Sequence, residues 1–221
     1  MSMAINQFIE HTNLKPTLTE NDVDTLVAEA KAHQFLGVCV PPFWVKRAFR
    51  ELGNFDLQLI TVIGFPLGYQ MTEVKLKEME IAIGNGANEL DLVMNISSFK
   101  TGLPWTKIEI AKCAKTAHEA DCVLKVIIET AYLNNDEIVT ACKICSDAGV
   151  DFVKTSTGFA ASGAKKENIH LMRKILPSNV GIKASGGIKT LQDAQSMIAA
   201  GADRLGTSSG VAIMRQLNES D

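Results

Sequence analysis

Short apolar runs alternate along the chain with longer segments that have a helical pattern. We interpret the apolar runs as strands, at residues 8–14, 38–40, 57–65, 89–95, 123–129, 152–157, 181–185 and 204–208. Strands that alternate with helices are typical of parallel βαβ units. Eight such strands are the number that closes a barrel. The pattern therefore predicts one α/β domain over residues 1–221, a single (β/α)8 TIM barrel with a short N-terminal extension.

A doubly wound open sheet is the alternative fold. It is disfavoured because no G-x-G-x-x-G motif follows the first predicted strand.

Local signals mark where the predicted helices begin and end. Three helical segments end in glycine followed by a small residue and Asp or Asn, at 86–88, 149–151 and 201–203. Glycine is favoured there because it accepts the left-handed conformation that ends a helix. Plausible N-caps are Thr17 or Thr19, Thr72, Asn134 or Asn135, and Thr190.

Charged and polar residues share one face of several predicted strands. The alternation of strand side chains groups Glu89 with Asp91, Lys125 with Glu129, Lys154 with Ser156, and Lys183 with Ser185. The opposite faces are apolar and should pack against outer helices. Barrel interiors are usually branched aliphatic, and inward charges are costly unless they are paired. We expect these residues to form a site.

Lys154 and Lys183 fall on neighbouring predicted strands, and this pairing suggests Schiff-base chemistry. Imine formation requires an uncharged amine, and a free lysine with a pKa near 10.4 supplies only about one in 2,500 at pH 7. Burial and a second cation nearby are known means of lowering a lysine pKa. We expect Lys154 to be the nucleophile and Lys183 the second cation. A structural salt bridge is the alternative role for Lys154.

Asp91 is the candidate for proton transfer in the same lumen. Aldol chemistry moves protons at the carbinolamine and at the enamine carbon, and a carboxylate near two lysines can carry them. Asp91 could also only neutralise a lysine, and both roles are compatible. Glu10, Thr12 and Lys125 are weaker candidates for supporting roles.

Two glycine-rich segments predict a phosphate site. Gly186-Gly187 follows the seventh predicted strand, and a segment from Gly206 to Gly210 follows the eighth and precedes a short helical stretch at 211–216. Barrels often bind phosphate on these two loops, with backbone N–H groups and a helix N-terminus. Ordinary glycine turns are the alternative for either loop alone.

Composition excludes several classes of function. The 221 residues carry a formal net charge of −3, which does not suggest a nucleic acid or an anionic membrane as partner. We find no signal peptide or membrane-spanning run, so we expect a cytoplasmic protein.

The five cysteines suggest free thiols, and Cys142-x-x-Cys145 falls inside a predicted helix, where packing is the expected role. The four histidines are scattered, so we expect no metal site.

Several segments resemble the deoxyribose-phosphate aldolase family, nearly from end to end. The K-T-S-T-G and K-A-S-G-G pieces are highly specific together. The segments are Val62–Gly68, Thr72–Lys75, Glu89–Asn95, Val153–Phe159, Lys183–Gly187 and Arg204–Gly210.

The resemblance implies reversible cleavage of 2-deoxy-D-ribose 5-phosphate to D-glyceraldehyde 3-phosphate and acetaldehyde, in deoxyribonucleotide catabolism and without a cofactor. It implies that Lys154 forms the imine, Lys183 perturbs its pKa and Asp91 relays protons. A homo-oligomer is possible, while nucleic acid and membrane partners are not expected. The implied phosphate-binding residues are Gly158, Gly186, Gly187, Gly206, Ser208 and Ser209.

The chain departs from the family pattern at a few positions. Glu10 stands where the family usually has Asp, and Pro41 stands where it usually has Asn. The segment 160–164 has less glycine than is common, and the C-terminal tyrosine tail of some members is absent.

Two other functions remain open at this point. One is another Schiff-base sugar-phosphate aldolase or transaldolase-like enzyme, which would use a dihydroxyacetone donor. The other is a non-catalytic barrel that binds phosphosugars, which would bind ligand without turnover.

Overall fold

The protein folds as a closed barrel of eight parallel strands, numbered in chain order around the ring. The structure is a computed structural model that describes residues 4–220. The strands are β1 (Ile9–Thr12), β2 (Gly37–Val40), β3 (Gln58–Ile63), β4 (Glu89–Val93), β5 (Val123–Ile127), β6 (Phe152–Lys154), β7 (Gly181–Ser185) and β8 (Arg204–Thr207). β8 pairs with β1 and closes the ring. The predicted (β/α)8 barrel is confirmed.

Helices follow the strands and form the outer layer. They are α1 (Glu20–His33), α2 (Val45–Leu52), α3 (Thr72–Gly84), α4 (Ile96–Lys100), α5 (Trp105–His118), α6 (Asn135–Asp147), α7 (Lys166–Ile175), α8 (Leu191–Ala199) and α9 (Gly210–Ser220). Short 3-10 helices lie at Ile5–Phe8, before β1, and at Pro42–Trp44 and Thr130–Tyr132. Within residues 4–220, no helix is both long and apolar enough to cross a membrane.

Most strands end earlier than the apolar runs predicted. β5 ends at Ile127 although the run continues to Glu129, because Glu129 adopts a left-handed backbone conformation with φ +49°. β6 ends at Lys154, and residues 155–157 form a loop. The residues beyond these strands therefore build loops at the carboxyl end of the barrel.

The helix-boundary predictions are confirmed with one exception. Thr19, Asn134 and Thr190 are N-caps, each in a capping box. The N-cap predicted at Thr72 is wrong by one position. The helix already begins at Thr72, and its N-cap is the extended residue Met71. The predicted glycines Gly86, Gly149 and Gly201 all have positive φ after their helices.

The main core fills the space between the barrel and the helices. Outward strand residues such as Leu90, Leu92, Val153 and Ile182 are fully buried in it. Cys142 and Cys145 lie in the same core on α6, and both thiols are free and buried. Burial raises the pKa of Cys142 to about 12, which fits the expected packing role.

Candidate active site

Strand pairing brings the predicted catalytic residues together in the barrel lumen. Lys154 and Lys183 are direct register partners on β6 and β7. Asp91 on β4 is the register partner of Lys125 on β5. All four side chains are almost completely buried. The inward orientation expected from strand alternation therefore holds for each of them.

One carboxylate oxygen joins the two predicted catalytic lysines. The Nζ atoms of Lys154 and Lys183 both donate to Asp91 Oδ2, at 2.7 and 2.6 Å. Lys183 also donates to Glu10 Oε2, while no second carboxylate pairs with Lys154 among the described residues. Lys154 is thus the lysine of this group with the least compensation for its charge.

The electrostatic environment separates the two amines. Burial lowers the pKa of Lys154, and the charge of Lys183 lowers it further, against the opposing effect of Asp91. Burial acts in the same direction on Lys183, but the carboxylates of Asp91 and Glu10 outweigh it and raise the pKa of Lys183. The opposite directions of the two shifts favour a neutral amine at Lys154 over one at Lys183, and the neutral amine is the form that imine formation requires.

Asp91 is held ionised by its neighbours. Burial alone would raise the pKa of this carboxyl, but the surrounding lysines outweigh burial and hold it well below 3.8. The carboxylate lies within hydrogen-bonding distance of both amines. It therefore bridges the two amines through one oxygen.

A second layer of charges lies below this group, toward the amino ends of the strands. Lys125 Nζ lies 3.2 Å from Asp91 Oδ1 and 3.6 Å from Glu10 Oε1, and it also pairs with Glu89. Arg204 Nη1 lies 3.5 Å from carboxylate oxygens of both Glu10 and Glu89. Glu10 and Lys125 were weaker candidates from the sequence, and Arg204 was missed although its charge at the start of a predicted strand could have indicated it.

A cleft of about 410 Å³ opens above Lys154 at the carboxyl end of the barrel. It is lined by most of the residues predicted to bind phosphate, namely Gly158, Gly186, Gly187, Gly206 and Ser208. Ser209 does not line it, and its backbone N–H instead donates to Thr207 Oγ1 at 2.9 Å. The loops after β6, β7 and β8 thus meet around one cavity.

The same cleft contains polar residues that sequence reasoning missed. Asn13 and Lys15 reach it from the loop after β1, and Lys189 reaches it from the loop after β7. Lys189 directly follows the segment Gly186–Ile188, so its position beside a glycine pair was a usable signal. The two lysines place positive charge on two different loops around the glycines.

An apolar wall covers another side of the lysines. Cys39, Ile60 and Val62 form a buried cluster in the lumen, with Leu14 and Phe65 packed against it. The ring of Phe65 meets that of Phe159 edge to face, with centroids 5.2 Å apart. This wall limits hydration of the site and contributes to the burial that disfavours a charged Lys154.

The described histidines, cysteines and carboxylates form no cluster of three or more that could hold a metal ion. The imidazole of His11 pairs with a carboxylate, since its Nε2 lies 2.7 Å from Glu29 Oε2.

Comparison with known proteins identifies the family. A family model described as DeoC/LacD family aldolase matches residues 2–217. A deoxyribose-phosphate aldolase of Brevibacillus brevis is 49% identical over 213 residues, which are 96% of each chain.

Similar solved structures indicate the same family. A putative deoxyribose-phosphate aldolase from Coccidioides immitis has 42% identity and a TM-score of 0.92, over 97% of this chain and 86% of that one. An Aeropyrum pernix deoxyribose phosphate aldolase, described as tetrameric, has 33% identity and a TM-score of 0.91, over 98% and 92% of the two chains. The chain therefore belongs to the DeoC/LacD family of aldolases.

Proposed function

We propose that the protein is a class I aldolase that reversibly cleaves 2-deoxy-D-ribose 5-phosphate to D-glyceraldehyde 3-phosphate and acetaldehyde. One observation carries the proposal: Lys154 is buried, shares Asp91 Oδ2 with Lys183 and lines a cleft edged by glycines and lysines. The relatives named deoxyribose-phosphate aldolase support the choice of substrate. The proposed chemistry uses only side chains and needs no cofactor.

In the synthetic direction, Lys154 Nζ attacks the carbonyl carbon of acetaldehyde and forms a carbinolamine. Loss of water gives the iminium, and loss of a proton from the methyl carbon gives the enamine. The enamine carbon then forms the new carbon–carbon bond to the aldehyde of glyceraldehyde 3-phosphate, and water releases the product and the amine. Cleavage is the reverse sequence.

Asp91 and Lys183 serve the proton transfers in this scheme. The Asp91 carboxylate contacts both amines, so it can accept a proton from one and return it to the other. Lys183 also pairs with Glu10, which holds its ammonium in place. We assign Lys154 as nucleophile, Asp91 as proton relay and Lys183 as the cation that disfavours a charged Lys154.

The phosphate of the substrate would bind above the lysines. Gly158, Gly186 and Gly187 have positive φ, a conformation in which a loop can turn its backbone N–H groups toward an anion. Ser208 supplies a hydroxyl, and Lys15 and Lys189 supply positive charge. We keep Ser209 in the assignment through its place before the N-terminus of α9, where a dianion is favoured.

The aldolase proposal is tested by release of glyceraldehyde 3-phosphate from deoxyribose 5-phosphate in a coupled assay. Acetaldehyde with borohydride should leave a reduced two-carbon adduct on Lys154. Lys154→Ala should lose both activity and adduct, whereas Lys143→Ala, at an exposed site on α6, should keep both.

Other outcomes would separate the alternatives. Turnover only with dihydroxyacetone-type donors would indicate a different Schiff-base aldolase. Thermal stabilisation by phosphosugars without turnover would indicate a binding barrel. Full activity of Lys154→Ala would overturn the catalytic assignment.

The chain is also expected to associate with copies of itself. The related aldolase from Aeropyrum pernix is described as tetrameric. Large apolar side chains of this chain are exposed around α3 and α5, among them Met71 and Trp105. Light scattering that gives the mass of one chain at micromolar concentration would contradict this expectation.

A further inference from the structure

The ion pairs in the barrel lumen form one connected network with unequal charge. Among the described residues its cations are Lys125, Lys154, Lys183 and Arg204, and its carboxylates are Glu10, Glu89 and Asp91. Apart from Arg204, which is partly open at the amino end of the barrel, these side chains are at most 3% exposed. The network therefore has four positive and three negative groups when every member is ionised.

A net charge inside a protein is unfavourable, and one lost proton would remove it. The cation with the fewest carboxylate partners should give up that proton. Lys125 has three carboxylates within 4 Å and Lys183 has two, whereas Lys154 has one that it shares with both of them. The network is balanced when Lys154 is neutral.

We propose that Lys125 and Glu89, which pair with each other beneath the site, are positioning residues that set the charge state of Lys154 through the charge count of the lumen. Neither residue lines the cleft or pairs with Lys154. Their influence passes through Asp91, which Lys125 approaches at Oδ1 while Lys154 occupies Oδ2. The inference rests on the proposed function, in which neutral Lys154 is the nucleophile.

The other groups that face Lys154 do not alter this count. Asp91 and Lys183 belong to the network. Among the described residues, Cys39 on β2 is a further titratable neighbour, and burial raises its pKa to about 11, so the thiol is neutral at pH 7. Lys15 and Lys189 line the cleft on its solvent-exposed loops, where water screens their charges.

The charge count gives opposite expectations for two single variants. Lys125→Met leaves three cations and three carboxylates, so a charged Lys154 is balanced and its protonation becomes easier. Glu89→Gln leaves four cations and two carboxylates, so protonation of Lys154 becomes harder. The double variant leaves three and two, which restores the original surplus of one.

Reductive methylation with formaldehyde and cyanoborohydride measures this without sugar turnover. The rate at each lysine is followed by peptide mass spectrometry across pH, with exposed Lys143 as internal standard. The pH at which the methylation rate of Lys154 reaches half its maximum is the midpoint for this residue. We expect this midpoint to rise by about one pH unit in Lys125→Met and to fall by a similar amount in Glu89→Gln. The double variant should return to the wild-type midpoint.

The double variant separates a charge effect from structural damage. A charge effect predicts that the second substitution cancels the first, whereas damage predicts that the two add. Unchanged midpoints in the single variants, or shifts of the same sign, would overturn the inference. If Lys125→Met does not fold by itself, the Lys154 midpoint of Glu89→Gln is compared with that of the double variant. The inference then requires a higher midpoint in the double variant.

Failure of this inference and failure of the proposed function would give different results. A protein that methylates Lys154 with the expected shifts but does not cleave deoxyribose 5-phosphate would keep the inference and lose the substrate assignment. Cleavage with unshifted midpoints would do the reverse.

Discussion

At the scale of single residues, two glycines with the same φ angle lie in different surroundings. Gly187 lines the cleft and Gly149 follows α6, yet both have φ +81° and neither would bring a Cβ within 4 Å of another residue. An L-residue in this conformation is strained by about 1–2 kcal/mol. The pair therefore separates backbone strain from loss of space in the cleft.

We expect Gly187→Ala and Gly149→Ala to lose similar stability, about 1–2 kcal/mol, in urea unfolding. Only Gly187→Ala should raise KM for deoxyribose 5-phosphate, because its new methyl group would point into open cleft space. An equal KM for the two variants would argue against phosphate binding at this loop.

At the scale of secondary-structure elements, a buried ion pair joins α3 to α5. Lys75 Nζ donates to Glu109 Oε1 at 2.6 Å and to the Val93 carbonyl oxygen at 2.9 Å, and Thr72 Oγ1 donates to Glu109 Oε2 at 3.2 Å. Both charges of the pair are almost fully buried. The pair ties both helices to the end of β4, beside the site.

Removing one partner of this pair should be strongly destabilising. We expect Lys75→Met to lower the free energy of unfolding by about 3–5 kcal/mol, since Glu109 would keep an uncompensated buried charge. Lys75→Met with Glu109→Gln should recover part of that loss. A single variant as stable as the wild type in urea unfolding would contradict a charged Glu109.

A contact between the loops after β5 and β6 orders the loop after β6. Glu129 Oε2 accepts hydrogen bonds from Thr157 N at 3.0 Å and Thr157 Oγ1 at 2.5 Å, and Phe159 N donates to the same hydroxyl at 3.1 Å. Gly158 lies between the two residues that this contact fixes. Glu129 therefore holds the start of the loop that lines the cleft.

Glu129→Gln should loosen this loop because an uncharged acceptor makes weaker hydrogen bonds. We expect a severalfold rise in KM for deoxyribose 5-phosphate with a smaller change in kcat. Thr157→Val should have the same effect and Thr157→Ser little effect, since serine keeps the hydroxyl. A fall in kcat alone, with KM unchanged, would place the role of Glu129 elsewhere.

At the scale of the whole molecule, charge burial in the lumen makes stability depend on pH. Burial alone would raise the pKa of Glu10, but Lys125 and Lys183 outweigh it and lower that pKa below its ordinary 4.5. The pKa of Asp91 is lowered in the same way. A carboxyl with a lowered folded-state pKa stabilises the fold above its unfolded pKa, and this contribution is lost as the pH falls through the folded value.

We expect the free energy of unfolding to fall steadily below about pH 4. Glu10→Gln should be less stable at neutral pH and should lose less stability on acidification. Urea unfolding of both proteins at about pH 6 and about pH 3 measures this. Parallel pH dependence of the two proteins would show that Glu10 does not contribute.

The sequence by itself determined the barrel and the inward lysines. Eight apolar runs separated by helical segments were enough for the strand number, and alternation along a strand fixed which way Asp91, Lys154 and Lys183 point. These are local properties, so no knowledge of distant contacts was needed. The C-x-x-C segment was likewise correctly read as packing, because its helical pattern is local.

Only the tertiary structure decided which charges share partners. Glu10 and Arg204 are separated by 194 positions and meet because β8 closes on β1. The common oxygen of Asp91, the cleft position of Lys15 and the left-handed Glu129 also depend on how strands and loops from distant parts of the chain pack. Pattern along a chain specifies the direction of a side chain, whereas its partners and its pKa depend on the closed barrel around it.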